Sequence, residues 1–250
     1  TAQDAYGNTV TSYAGKNTLS DTTGTITPTA TGAFTSGVWT GITLNGNGST
    51  LSSSTISYAS APLTISGVSS ATISGCTINN SDFESSQAID VYASTPTISS
   101  CTISGGAGSS NGVRFEAGSG GTLSGTTIDA CGAGNGIVIM GGSSPTLYNN
   151  TITRNYYNGI YAYYNSSGFP NIHDNTLENN GMIGETYYCN GIVFTNCSGV
   201  VKRNSIWRSS SGIVAYEEGS VYGAYQEYTE AQNWITHTNM ALYAYDGSEL

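Results

Sequence analysis

Short runs of alternating apolar and polar residues recur along the chain at a nearly constant interval. Each run opens on a small residue and then alternates, as in Gly136-Ile137-Val138-Ile139 and Gly191-Ile192-Val193-Phe194. A period of two indicates a β-strand with one buried face. The first inward residues of the successive copies are Ile42, Leu63, Ile89, Val113, Ile137, Ile160, Ile192, Ile213 and Leu242. These copies span eight intervals that average 25 residues.

A second pattern falls between the copies of the first and consists of two short strands around a tight corner. Typical examples are Thr97-Ile98 with Thr102-Ile103 and Thr146-Leu147 with Thr151-Ile152. Each repeat therefore holds three strands, here called strands one, two and three. A single turn cannot bury its apolar side, whereas stacked turns build a continuous core and pair every backbone group. We predict an all-β right-handed parallel β-helix of about eight to nine turns, with three short strands per turn.

The corner between strands two and three carries a second periodic signal. Asparagine occupies this slot in the later turns, and cysteine occupies it in two earlier turns. The members are Asn150, Asn175, Asn204 and Asn233, preceded by Cys76 and Cys101. Stacked asparagines can hydrogen-bond to one another, and asparagine tolerates the left-handed conformation that such a corner needs. We therefore expect a structural ladder along this corner.

The two cysteines of this ladder lie on neighbouring turns. Strand spacing of about 4.8 Å places Cys76 and Cys101 within the Cα separation that a disulfide allows. The sequence leaves two states open, a disulfide and a stack of reduced thiols.

These repeats resemble the parallel β-helix repeats of the pectate-lyase-like superfamily. They are most similar to the repeat proteins of bacterial and archaeal surfaces, which show the pattern PTI, NTI and NGI. The segment Trp39-Thr40-Gly41-Ile42 matches the usual first turn of such proteins, and the resemblance covers about residues 39–250. It implies the fold and does not settle the activity, because this fold supports many functions.

The two ends depart from the repeat and suggest a division at residue 38. Residues 1–38 resemble part of a bacterial immunoglobulin-like surface domain through Asp4–Asn8 and Thr18–Asp21. We expect a short β segment there that caps the first turn or reaches a partner, followed by a β-helix over 39–250. At the other end, strand one restarts at Leu242 without an evident cap. An uncovered end favours head-to-tail self-association, which without closure builds a filament.

Charge and composition exclude some partners. The chain has 6 Lys and Arg against 16 Asp and Glu, for a net charge of −10. Nucleic-acid binding requires clustered cations, so it is excluded, and polyanionic sugars are disfavoured unless a metal bridges them. No run of 18 apolar residues is present, so we expect no membrane span. The low lysine content and the abundance of Ser, Thr, Gly and Tyr are typical of extracellular or cell-surface proteins.

The outward positions of strand one hold the candidate chemistry. In the pectate-lyase-like superfamily substrates lie along this strand, so the resemblance directs attention to Asp90, Arg114 and Glu116. Asp90 and Arg114 should stack on neighbouring turns, with Glu116 on the same face. A polysaccharide lyase needs a base and a charge neutraliser, often a metal such as calcium, and a glycoside hydrolase needs two spaced carboxylates. An exposed ion-pair ladder without catalytic function is the alternative. We expect no metal site or other cofactor unless the protein is a lyase.

Tyrosines form the other outward feature, since the chain contains 18 of them. Their amphipathic rings suit sugar stacking or a protein interface, and they also serve as ordinary cover for an exposed sheet. The candidates are Tyr92, Tyr161, Tyr163, Tyr164, Tyr187, Tyr188 and Tyr216. Two hypotheses follow. The favoured one is a structural or adhesive surface protein that binds carbohydrate or assembles into filaments. The alternative is a polysaccharide lyase or glycoside hydrolase acting at the charged cluster.

Overall fold

The structure is a computed structural model, and it describes ten segments of the chain. These are residues 34–35, 38–39, 41–57, 59–79, 87–105, 110–165, 167–181, 190–217, 220–222 and 232–245. Within them, a short antiparallel pair, β1 (Phe34–Thr35) and β2 (Val38–Trp39), precedes three parallel sheets. No helix in the described segments has the length and apolar character needed to cross a membrane.

Each parallel sheet collects one strand from every turn. The strand-one sheet has nine strands: β3 (Ile42–Leu44), β6 (Leu63–Ser66), β9 (Gln87–Tyr92), β12 (Asn111–Glu116), β15 (Ile137–Ile139), β18 (Ile160–Tyr163), β21 (Asn190–Thr195), β24 (Ser211–Tyr216) and β27 (Met240–Ala244). The strand-two sheet has eight: β4 (Ser49–Ser52), β7 (Ala71–Ser74), β10 (Thr97–Ser99), β13 (Thr122–Ser124), β16 (Thr146–Tyr148), β19 (Asn171–His173), β22 (Ser198–Lys202) and β25 (Ser220–Tyr222).

The strand-three sheet closes the triangular cross-section. It has eight strands: β5 (Thr55–Ser57), β8 (Thr77–Asn79), β11 (Thr102–Ser104), β14 (Thr127–Asp129), β17 (Thr151–Thr153), β20 (Thr176–Glu178), β23 (Ser205–Trp207) and β26 (Trp234–Thr236). The predicted all-β parallel β-helix with three strands per turn is confirmed. Counted as steps between neighbouring strands in the eight-stranded sheets, the helix rises through about seven turns, slightly fewer than the predicted eight to nine.

The core is a set of stacks of aliphatic side chains that point inward. In most three-residue strands of the strand-two and strand-three sheets the central residue is buried and its two neighbours face outward, as in β11 and β17. In-register pairing places Ile98 between Ile73 and Leu123, and Ile103 between Ile78 and Ile128. All six side chains are fully buried. Removal of these side chains from water supplies the main driving force for stacking the turns.

The glycine that opens most copies of strand one is required by space. A Cβ on Gly136 would lie 2.6 Å from the carbonyl oxygen of Gly159 and 2.6 Å from a methyl carbon of Ile152. A Cβ on Gly191 would clash in the same way, with the backbone of the next turn and with Ile206 of strand three. The glycine therefore lets strand one pack closely against the inward residue of strand three.

The asparagine ladder at the corner between strands two and three consists of repeated side-chain and backbone hydrogen bonds. Asn175 Oδ1 accepts from the backbone N–H of Asn150 at 3.0 Å and from its Nδ2 at 2.9 Å. Asn175 Nδ2 donates to the carbonyl oxygen of Leu147 at 2.9 Å and to Asn204 Oδ1 at 3.0 Å. Asn204 bonds to Asn233 in the same way. The ladder thus satisfies corner backbone groups that are buried away from water.

One part of the corner interpretation was wrong. The left-handed conformation belongs to the residue before each ladder asparagine, namely Asn149 (φ 54°), Asp174 (φ 57°) and Arg203 (φ 52°). Asn150 and Asn175 themselves are not left-handed, and their buried side chains form the ladder hydrogen bonds.

Cys76 and Cys101 occupy the equivalent slot in earlier turns. Both are buried, and both carry free thiols, as do Cys131 and Cys197 among the described residues. The Cys101 thiol donates to the Ser99 carbonyl oxygen at 3.3 Å, and its backbone N–H donates to Thr126 Oγ1 at 3.3 Å. The structure therefore contains the stack of reduced thiols and not the disulfide.

The two ends of the helix differ in exposure. At the first turn Leu44 and Ile56 are each 1% exposed. At the last described turn the corresponding inward residues, Ile235 and Leu242, are only partly buried. Self-association through this end stays a prediction. Residues 1–33 lie outside the described segments, so the predicted N-terminal cap or arm over 1–38 and the boundary at 39 also stay predictions.

The ladder predicts a large stability loss when one of its members is removed. We expect Asn175→Ala to lower the free energy of unfolding by about 2–4 kcal/mol, because buried groups of Asn150, Leu147 and Asn204 each lose a partner. Urea denaturation followed by circular dichroism measures the change.

The matched control is Thr151→Ala, which removes an exposed hydroxyl and methyl group from the outer face of β17. We expect this control to cost less than about 1 kcal/mol. Equal losses for the two variants would contradict the role assigned to the ladder.

Candidate functional site

The outer face of the strand-one sheet arranges its side chains in two columns that run along the helix axis. The first column consists of Thr43, Thr64, Asp90, Arg114, Val138, Tyr161, Val193, Val214 and Tyr243. In the second column Tyr92 lies next to Glu116 in the strand register. On later turns Tyr163 lies next to Thr195, and Thr195 lies next to Tyr216. The columns place charged groups near the early turns and tyrosines near the later ones.

The early part of this face holds a three-residue ion cluster. Arg114 donates from Nε and from one terminal nitrogen to the two oxygens of Asp90, at 3.0 and 2.9 Å. The same terminal nitrogen donates to Glu116 Oε1 at 2.9 Å. The structure therefore brings Asp90, Arg114 and Glu116 together. Because one guanidinium faces two carboxylates, the cluster carries a net charge of −1 when all three groups are ionised.

Glu116 has a raised proton affinity within this cluster. Partial burial raises the pKa of Glu116, and the negative charge of Asp90 raises it further, while the positive charge of Arg114 lowers it. A carboxyl group with a raised pKa can exchange protons nearer to neutral pH than an ordinary glutamate. Its neighbour in the register, Tyr92, is half exposed.

The later part of the face forms a cavity of about 620 Å³. This volume lies within the range of about 300–1,000 Å³ that is typical of small-molecule sites. Four tyrosines line it, namely Tyr157, Tyr161, Tyr216 and Tyr245. The remaining lining residues are Asn135, Asn158, Asn190, Val193, Thr195 and Glu217. The surface of the cavity is thus mainly aromatic and amide in character.

Tyr161 is held in place at the centre of the cavity wall. Its ring stacks on Tyr163 with a centroid distance of 4.7 Å and an interplanar angle of 21°. Burial raises the pKa of Tyr161, and a hydrogen bond with the side chain of Thr195 opposes this effect. The negative charge of Glu217 is near enough to raise that pKa as well. Tyr163 is fixed in turn, since its hydroxyl donates to Met140 Sδ at 3.2 Å.

The tyrosines at the rim of the cavity keep more of their surface in water. Tyr157 is 40% exposed and packs edge-on against Tyr156 at 4.8 Å. Tyr245 is 60% exposed and stacks on Tyr243 at 6.4 Å with nearly parallel rings. The exposed surfaces of Tyr157 and Tyr245 are therefore accessible to a ligand while the two rings keep their contacts with Tyr156 and Tyr243.

The amides of the cavity belong to another asparagine ladder, which precedes strand one. Asn158 Nδ2 donates to Asn135 Oδ1 at 3.0 Å, and Asn190 Nδ2 donates to Asn158 Oδ1 at 3.2 Å. The backbone N–H groups of Asn158 and Asn190 donate to the same two oxygens. These bonds fix the orientation of the amides before any ligand arrives.

The predicted tyrosines separate into three groups. Tyr161 and Tyr216 line the cavity, while Tyr163 and Tyr164 lie beside it and pack against each other at 5.6 Å. Tyr92 lies beside the ion cluster. Tyr187 and Tyr188 are outside the described residues.

Sequence reasoning missed the asparagines and Glu217. A signal for the asparagines is present in the chain, because asparagine directly precedes the opening glycine in consecutive copies of strand one, as in Asn135-Gly136, Asn158-Gly159 and Asn190-Gly191. The corner ladder of Asn150, Asn175, Asn204 and Asn233 does not line the cavity. In the described part of the chain, no group of three or more His, Cys, Asp or Glu side chains is placed to hold a metal ion.

The fold defines a parallel β-helix, and comparisons with known proteins agree with that class of fold. A family model described as a right-handed beta helix region matches residues 33–166 and 65–233, so the chain belongs to this family. The search of curated proteins found no match. Among solved structures, the chain is similar to an alginate lyase from Paenibacillus sp. str. FPU-7, with a TM-score of 0.51 and 12% identity over 84% of each chain. Similarity at this identity shows a shared fold.

The ion cluster generates a prediction about proton affinity. Replacing Arg114 with methionine (R114M) removes the positive charge that lowers the pKa of Glu116 and leaves the repulsion from Asp90, so that pKa should rise. NMR titration of the glutamate carboxyl carbon measures it.

Arg154→Met is the control, because Arg154 pairs with Asp129 of the strand-three sheet. This change should leave the titration of Glu116 where it is in the parent protein. An unchanged Glu116 pKa in Arg114→Met would contradict the electrostatic account of the cluster.

Proposed function

We propose that this protein binds a polysaccharide along the outer face of its strand-one sheet, as a non-enzymatic protein located outside the cell or on its surface. The observation that carries the proposal is the cavity of about 620 Å³ lined by Tyr157, Tyr161, Tyr216 and Tyr245 together with a row of amides. The secreted location is inferred from composition alone.

The lining suits the chemistry of a sugar ring. A sugar has apolar C–H faces and an edge of hydroxyl groups, so it needs flat apolar surfaces beside hydrogen-bonding groups. Tyrosine rings provide the former, and the amides of Asn135 and Asn158 and the hydroxyl of Thr195 provide the latter. The columns extend along the helix axis, which matches an elongated ligand better than a single small molecule.

Preorganisation supports affinity at this face. Tyr161 is held by stacking on Tyr163, and the amides are held by their ladder. Groups that are already fixed lose little conformational freedom when a ligand binds, so more of the contact energy contributes to affinity.

Binding without turnover is favoured over catalysis by the state of the ionisable groups. Arg114 is engaged by both Asp90 and Glu116, and Glu217 is the single carboxylate among the described residues that line the cavity. The second candidate is a polysaccharide lyase or glycoside hydrolase. The raised pKa of Glu116 favours it, because such a group can act in proton transfer.

The binding proposal predicts the effect of removing individual rings. We expect Tyr161→Ala and Tyr216→Ala each to weaken glycan binding about tenfold, since loss of one stacking surface removes about 1–1.5 kcal/mol. Glycan-array screening followed by isothermal titration calorimetry on the best oligosaccharide measures the effect.

Tyr148→Ala provides the matched control, because Tyr148 faces outward from the strand-two sheet and stacks on His173. Its affinity for the glycan should equal that of the parent protein. If no glycan binds, or if all three variants lose affinity equally, the binding face is assigned wrongly.

The catalytic alternative has its own test. Incubation of the parent protein with uronate and neutral polysaccharides should yield neither unsaturated products nor new reducing ends. Turnover that disappears in Glu116→Gln while binding remains would replace the binding proposal with the enzymatic one.

A further inference from the structure

We infer that the polysaccharide is uncharged, a neutral glycan and not a polyuronate; this inference rests on the proposed binding face. The placement of the few positive charges of the protein, and the ion pairs that they already form, support this inference.

The strand-one face offers no free cation among its described residues. The chain has 6 Lys and Arg in total. Of these, Arg154, Arg203 and Arg208 pair with carboxylates at the ends of strands two and three. Lys202 lies in β22 of the strand-two sheet, and Lys16 lies outside the described residues. Arg114 is the one described cation in the outward columns of strand one.

Arg114 is not available for a ligand carboxylate. It holds both oxygens of Asp90 in a bidentate pair and also contacts Glu116. A uronate that approached Arg114 would have to displace one of these carboxylates, and it would meet the net negative charge of the cluster. Since a charged group must be paired to leave water, a carboxylate without a free cation stays solvated.

The cavity itself adds a negative charge. Glu217 is exposed at its wall, and among the residues that the structure describes no Lys, Arg or His lines the cavity. The whole chain carries a net charge of −10, which repels polyanions at longer range. The remaining lining groups are uncharged donors and acceptors, such as the amides of Asn135 and Asn158 and the Thr195 hydroxyl. The uncharged hydroxyl groups of a neutral sugar can form hydrogen bonds with these groups, and no charge has to leave water when they do.

The test compares polymers that differ only at the carboxyl group. Oligosaccharides of polymannuronate and polygalacturonate are each measured beside their carboxyl-reduced forms, which keep the linkage and replace the carboxylate with a hydroxymethyl group. An array of neutral glycans is screened in parallel with the full chain. We expect the best ligand to be neutral and to bind at least about tenfold more tightly than any uronate. Its affinity should be insensitive to added salt.

A second variant tests the electrostatic cause. Glu217→Gln should reduce the ratio of the affinity for the neutral glycan to the affinity for the uronate, because it removes the negative charge at the cavity wall. Circular dichroism verifies that the variant is folded.

The outcomes separate the two proposals. A uronate that binds more tightly than its reduced form, with affinity that falls as salt is added, overturns the inference of a neutral ligand and leaves the binding face intact. Absence of binding to any neutral or acidic glycan overturns the proposed function and this inference together.

Discussion

In-register backbone pairing between successive turns is the constraint on which the rest of the structure depends. Each strand hydrogen-bonds to its counterpart in the next turn, so equivalent residues lie above one another at about 4.8 Å. A shift by one residue would turn the inward Ile98 and Ile103 outward, which makes the register costly to change. The glycine at the start of strand one and the asparagine at the corner satisfy the same constraint locally.

The candidate site follows from this register. Stacking converts a periodic sequence into columns, so residues 24 or more positions apart, such as Asp90 and Arg114, become direct neighbours. The same stacking gathers Tyr161 and Tyr216 around one cavity and aligns Asn135 with Asn158 at its edge. Rigid backbone stacking therefore positions the side chains that line the cavity.

Sequence reasoning was strongest where one residue type repeats on an inward face. The alternation in strand one and the asparagine series identified the fold, because burial restricts those positions to few residue types. It was weaker at corners, where Asn149 and Asn150 are chemically alike and only the backbone shows that the first is left-handed. It could not tell which outward tyrosines line the cavity, because Tyr163 turns toward Met140 while Tyr161 turns toward Thr195.

The measurement that tests the central claim most directly is an NMR titration of the isotopically labelled full chain with its best-binding neutral oligosaccharide. Amide signals that shift on binding show where the ligand lies. The account predicts that they cluster around Tyr157, Tyr161 and Tyr216 on the outer face of the strand-one sheet. Shifts that cluster on the strand-two or strand-three sheet, or at the exposed last turn around Trp234, would contradict it.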